Sequence, residues 1–381
     1  MGAGSARSAV ASDGAMTDLL TPLAFRNGVS ARNRVWLAPL TNLQSHDDGT
    51  LSHHELEWLR MRARGGFGVV ETCASHVALD GQGWEGELGI FTDALLPGLS
   101  KLATELRAHG ALSIVQLFHG GVRSPSKLTG KQPWSASTWS EETPGFEVPR
   151  PATEADIAGA IEAFKTSALR AHRAGFDGIE LHGAHGYLLS QFLSATMNHR
   201  EDSWGGAPFE NRARLIRAVT RAVRSAVPAS FVVGVRLSPE DFGNARGLDL
   251  DESVQLARWL VDDGIDFLHL SLWDGTRNTQ KRPSEHPLPL FRAAISRDVP
   301  IVVAGKVWTR DDAQVLLDKG ADAIALGRSA IVNPDWPARV ADPTWTPKLP
   351  PVTPRELAER GASPVFAKYL ERWKGFVATD G

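Results

Sequence analysis

Eight short runs of continuous apolar and β-branched residues recur along the chain, and they constrain its fold more than any other feature. They are RVWLAPL (34–40), GVVETCA (68–74), LSIVQLF (112–118), DGIELHG (177–183), FVVGVRLS (231–238), DFLHLSL (266–272), PIVVAG (300–305) and AIALGR (323–328). Unbroken rather than alternating hydrophobicity marks strands buried on both faces, and therefore a parallel sheet. Helix-like stretches lie between most of them: DALLPGLSKLATELRAHG, DIAGAIEAFKTSALRAHRAGF, DESVQLARWLVDDGI and RDDAQVLLDKGA. Each carries apolar residues at helical spacing and stops on or near a glycine. Eight strand–helix units predict an α/β fold of the closed (β/α)8 TIM-barrel type. A doubly wound open sheet would need about six strands and a glycine-rich first turn. The LAPLTN segment has no G-x-G-x-x-G.

Ahead of the first run, LAFRNGVSARNR places Asn27-Gly28 between short segments, which predicts a β-hairpin able to plug the lower end of the barrel. Two long irregular loops follow the third and sixth strands, at 119–153 and 274–289. Both lie on the C-terminal rim, where barrel enzymes keep their sites, and loops of such length tend to be functional lids. The expected organisation is an unstructured extension over 1–16 with Met16 as the original start, a barrel over 17–345, and a C-terminal arm over 346–381 packed on it.

Composition removes several function classes. Lys+Arg 41 against Asp+Glu 44, with no basic stripe, argues against a nucleic-acid partner. The single cysteine, Cys73, leaves no internal disulfide and no four-thiolate iron–sulfur cluster. No apolar run approaches the ~20 residues of a membrane span. The first fifteen residues lack an apolar signal core, and Ala6 breaks the myristoylation pattern. A cytoplasmic location is the expectation.

A barrel gathers its strand ends at one mouth. Here these are Thr41, Thr72, Gln116 with His119, His182 with His185, Arg236, Gly305, and Gly327-Arg328. Glycines in the loops after the seventh and eighth strands form the usual phosphate cradle of this fold, and Arg328 adds a bidentate donor. The same glycines could equally serve only as tight turns. The stretch ELHGAHGYLLSQFLS puts His182, His185 and Tyr187 within six residues, in a chain with only two tyrosines. Three readings stand. The histidines bind a metal with His119, although H-x-x-H alone is weak and no carboxylate has the matching spacing. They are structural, bonded to backbone carbonyls. Or they donate hydrogen bonds to a substrate oxygen, with Tyr187 as proton donor.

The blocks NRVWLAPLTN, VETCAS, IVQLFHGG, ELHGAHGYLLSQFLS, NHREDSWGGAPFENRAR, VGVRLSPEDF and IALGRSAIVNPDWP, in this order from about Leu23 to Pro337, resemble the Old Yellow Enzyme family. These are flavin-dependent ene-reductases of the NADH:flavin oxidoreductase group. The resemblance implies FMN over the barrel mouth. The backbone of Ala38, Pro39, Leu40 and Thr41 would run along the flavin edge, with Thr41 near its C4 oxygen. Thr72 would contribute backbone, Gln116 would pair with the pyrimidine, and Arg236 would face N1–O2. Gly305, Gly327 and Arg328 would hold the phosphate. The same resemblance has NADH or NADPH deliver hydride to FMN, and FMN pass it from N5 to an activated alkene. The alkenes expected are α,β-unsaturated carbonyls, nitroalkenes and maleimides. His182 and His185 would bind the alkene's carbonyl or nitro oxygen, and Tyr187 would supply the proton.

Departures from the family pattern are visible. Leu43 stands where one branch has a tyrosine that contacts substrate, and Trp204 replaces the tyrosine of a Y-G-G block. In some relatives the tail reaches a neighbouring subunit's site, which would give Arg372 or Trp373 that role; monomer and homodimer are both open. The rival reading is a metal-dependent barrel hydrolase or isomerase built on His119, His182 and His185.

Overall fold

The computed structural model describes residues 19–378. Eight parallel strands close into a barrel: β1 (Val35–Leu37), β2 (Val69–His76), β3 (Leu112–Phe118), β4 (Gly178–Gly183), β5 (Val232–Leu237), β6 (Phe267–Ser271), β7 (Ile301–Ala304) and β8 (Ala323–Leu326). Each coincides with one of the apolar runs. Helices α1 (His53–Arg64), α2 (Leu96–Ala108), α3 (Glu154–Ala174), α4 (Arg214–Ala226), α5 (Leu250–Asp262), α6 (Pro287–Ala294), α7 (Arg310–Asp318) and α8 (Arg328–Val332) follow the strands in turn. Their ends carry the expected local chemistry. Thr153 with Asp156 and Thr309 with Asp312 form capping boxes on α3 and α7, and Gly175 closes α3 in the left-handed conformation.

Alternation along each strand sorts side chains between two cores. Val115, Leu117, Ile179, Leu181, Val233 and Val235 point outward into the layer shared with the helices. Trp36, Val69, Ile114, Val232, Phe267 and Val302 point inward and fill the barrel floor. The bulk of Phe267 explains a glycine in the middle of β5, since a Cβ on Gly234 would lie 2.0 Å from that ring. The hairpin forms as expected. Leu23–Ala24 pairs antiparallel with Ser30–Ala31, Asn27 Oδ1 accepts from the Val29 amide, and Gly28 takes φ +86°. It closes the lower end by setting Phe25 6.0 Å from Trp36 and 6.1 Å from Phe267, centroid to centroid.

Two residues further up the strands the interior changes character. Glu71, Gln116, Glu180, Arg236 and His269 replace the apolar floor, all of them buried. This polar layer lies directly under the C-terminal mouth. The loop after β3 contains a short helix (Ser126–Thr129) and a two-stranded ribbon joining Trp134–Ser135 to Arg150–Pro151.

The chain after the barrel runs back along α1 through short helices Pro354–Glu359 and Pro364–Leu370. Phe366 meets Trp58 edge-on at 5.0 Å, and the Ser363 amide donates to Gln44 Oε1 at 2.8 Å. The expected unstructured extension over 1–16 lies outside the described residues. Among the described residues, no helix is long and apolar enough to cross a membrane.

Candidate active site

A cavity of about 280 Å³ opens at the C-terminal end of the barrel. After β1 it is bordered by Ala38, Pro39, Leu40 and Thr41, and the Ala38 amide is fixed to the Leu326 carbonyl of β8 at 3.0 Å. Gln116 from β3, His182 from β4 and Arg236 from β5 enter from the strands, and His185 and Tyr187 from the turn after β4. Gly305, Gly327 and Arg328 complete the wall after β7 and β8.

Thr72 is the exception. It is fully buried behind the wall, and Ala74 borders the cavity instead. The cause is a β-bulge: Glu71 pairs with Ile114 and Ala74 with Gln116, so three residues of β2 span two of β3. Thr72 Oγ1 bonds the Cys73 carbonyl at 2.7 Å and accepts the Gln116 amide at 3.3 Å, a supporting contact rather than a cavity one.

The turn after β4 shows how one short stretch delivers three side chains to one place. His185 adopts φ +62° and Gly186 φ +74°. A Cβ on Gly186 would sit 2.2 Å from the Asn244 carbonyl oxygen, so the sharp reversal requires glycine there. A non-glycine residue held in the left-handed region, as His185 is, marks a conformation imposed by its surroundings. Lys306, also at the mouth, shares this feature at φ +53°. The His182 and His185 rings lie 4.9 Å apart, and Tyr187 is 5.0 Å from His182 and 4.5 Å from Phe118. Burial, together with the Arg236 charge, pushes both imidazoles well below their usual pKa, so they are neutral at neutral pH. Burial raises the Tyr187 phenol to about 12, which keeps its proton in place.

His119 is not part of this group. Its Nδ1 accepts the Gly121 amide at 3.1 Å, its Nε2 lies 3.7 Å from Asp80, and its ring packs on Trp134 at 5.0 Å. The three-histidine metal centre is therefore not assembled. Among the described residues, the one group close enough to share an ion is Glu71, Glu180 and His269.

Several residues at the mouth were not foreseen. Ser271 Oγ lies 2.7 Å from His185 Nε2 and accepts from Arg236 Nη2 at 3.2 Å, linking the imidazole to the guanidinium. It shares the inward face of β6 with His269, so strand parity could have found it. Trp84, Trp273 and Tyr369 also border the cavity, as does Trp373. The last reaches its own chain's mouth in this single chain. Arg328 has no carboxylate partner among the described residues and lies 6.0 Å from the Trp273 ring and 5.9 Å from that of Trp373.

Residues 18–344 match the NADH:flavin oxidoreductase / NADH oxidase family. The chain belongs to this family. A probable NADH-dependent flavin oxidoreductase of Bacillus subtilis, YqiG, is 34% identical over 329 residues, covering 85% of this chain and 88% of the relative. An NADPH dehydrogenase of Bacillus licheniformis is 32% identical over 332 residues, 85% of this chain and 94% of its own. The solved Old Yellow Enzyme homologue from Zymomonas mobilis superposes with a TM-score of 0.79 at 29% identity, over 90% of this chain and 99% of that one. Two other relatives are longer, and the chain spans only 36% and 33% of them. Membership makes this flavin oxidoreductase one of the Old Yellow Enzyme group, working with a flavin and a nicotinamide. The mouth fits a flavin on its own terms. Arg236 Nε is buried with no partner in the protein, and Gln116 Nε2 is committed to Glu180 at 2.7 Å, which leaves the amide oxygen for a ligand N–H.

Proposed function

We propose that this flavin oxidoreductase is an FMN-dependent, NAD(P)H-consuming reductase of activated C=C bonds: enones, nitroalkenes and maleimides. The observation carrying this reading is the cluster of two neutral imidazoles and a protonated phenol at the same mouth as the Arg236 guanidinium. FMN, when bound, would supply hydride transfer from the nicotinamide to the alkene. Ala38 to Thr41 and Ala74 would face the ring edge, Gln116 the pyrimidine, Arg236 its N1–O2 side, and Gly305, Gly327 and Arg328 the phosphate. His182 and His185 would hold the substrate's carbonyl or nitro oxygen, where negative charge grows as hydride arrives. Donors aimed there bind the transition state more tightly than the ground state. Tyr187 would give its proton to the α-carbon. Tyr369 and Trp373 from the arm would limit the alkene's size and keep water out.

The test is anaerobic double mixing. The purified protein should release FMN on denaturation and its flavin band should bleach with NADH or NADPH. Adding 2-cyclohexenone should then restore the band with formation of cyclohexanone. A colourless protein that binds no flavin, or a bleached one that no activated alkene reoxidises, contradicts the proposal.

A further inference from the structure

Beneath the proposed flavin lies a layer of ionisable groups to which the reaction assigns no part. Glu180 is fully buried on β4. Its Oε1 accepts Gln116 Nε2 at 2.7 Å, and its Oε2 lies 2.7 Å from His269 Nδ1 on β6. Glu71 on β2 approaches the same His269 Nδ1 at 3.9 Å, and neither of its oxygens has a hydrogen-bond partner. Arg236 on β5 occupies the same layer.

The protons in this layer can be assigned from the charges. Burial, and then the neighbouring Glu180, push Glu71 well above the usual carboxylate range, so it is a neutral acid. Burial works against the Glu180 anion too, but His269, Arg236 and the Gln116 amide outweigh it and hold Glu180 below that range. Burial lowers His269, which leaves it neutral and donating from Nδ1. One anion then faces one cation, Glu180 against Arg236, in a buried layer where an unbalanced charge is strongly disfavoured. A divalent ion among Glu71, Glu180 and His269 would add charge beside Arg236 and displace the Glu180–His269 bond. A proton therefore fills this place.

We propose that Glu180 is a positioning residue for the flavin: it fixes which end of the Gln116 amide faces the mouth, and it sets how much of the Arg236 charge the flavin feels. The inference rests on the FMN reading above. An amide anchored through nitrogen to a carboxylate must present oxygen upward, the acceptor that a pyrimidine N–H requires. A counter-charge behind Arg236 weakens its pull on electron density added near N1–O2, so Glu180 holds the reduction potential of bound FMN down.

Three variants of the holoprotein test this by potentiometric titration of the flavin band, with FMN affinity measured separately. Glu180→Gln keeps an oxygen acceptor for Gln116 and removes the charge. It should retain FMN and raise the ratio of reduced-to-oxidised FMN affinity about tenfold, an upward shift of about 30 mV for a two-electron couple. Glu180→Leu removes the acceptor as well and should weaken oxidised FMN binding about tenfold, a loss that Glu180→Gln does not show. His269→Leu withdraws the support of the Glu180 anion and should raise the potential by a second route, which decides the matter if Glu180→Gln does not fold. FMN bound at the wild-type potential in Glu180→Gln, or in His269→Leu where that variant decides, overturns this inference and leaves the functional proposal standing. A wild-type protein that binds no FMN overturns both.

Discussion

Tyr187 and its two histidine neighbours have opposite relations to the proton, and that division of labour is what the site offers chemically. A phenol raised to about 12 by burial remains a donor at every working pH, while imidazoles lowered well below their ordinary range donate N–H bonds without carrying charge. Tyr187→Phe should therefore slow reoxidation by an enone about 10²- to 10⁴-fold, the usual range for a general acid. Reduction of the flavin by NAD(P)H should be unchanged, and the two halves separate in stopped flow. Equal rates of reoxidation in variant and wild type would remove Tyr187 from the reaction. These three residues were legible because the end of β4 and the turn after it place them within six positions. Ala74 was not, because the bulge in β2 moves the register by one residue and nothing in VETCAS announces it. His119 misled because it ends β3 beside the mouth yet turns toward Asp80 and Trp134.

At the scale of elements, the eight strands were readable because burial on both faces removes polar alternation from the sequence. The same property hid the polar layer. Glu71, Glu180 and His269 sit inside runs that read as apolar, and only closure of the barrel shows that they face one another. Glu55 is a related case on α1, buried against the barrel wall, and burial pushes its carboxyl up to about 7. The folded state holds this proton between pH 4.5 and 7 while the unfolded chain releases it. Its contribution is therefore complete below pH 4.5 and is lost as pH rises through 7. Glu55→Gln removes that loss. Denaturant unfolding should show the variant gaining about 3 kcal/mol on wild type between pH 4.5 and pH 8. A stability difference that does not vary with pH would mean that Glu55 is ionised in the folded protein.

Across the whole molecule, one end of the barrel is closed by the hairpin and the other is partly roofed by the arm. The hairpin was readable from Asn27-Gly28. The arm was expected to pack on the barrel, but its docking place was not readable, because its anchors, Phe366 on Trp58 and Ser363 on Gln44, join segments about 300 residues apart in the chain. The anchor Phe366 and the cavity residue Trp373 are different residues of the arm. Trp373→Ala should accordingly leave the fold and flavin binding intact and raise KM for cyclic enones about 3- to 10-fold, the worth of one aromatic contact. Steady-state kinetics with cyclic and small acyclic alkenes would check this, and an equal effect on both would show that Trp373 does not shape the pocket. The proposed reaction depends on a single arrangement at the mouth, and a crystal structure of the FMN-loaded protein soaked with cyclohexanone tests it most directly. The expected result is an isoalloxazine lying along Ala38 to Thr41, with the ketone oxygen within hydrogen-bond reach of both His182 and His185. A flavin bound elsewhere, or a ketone whose oxygen points away from both rings, would contradict it.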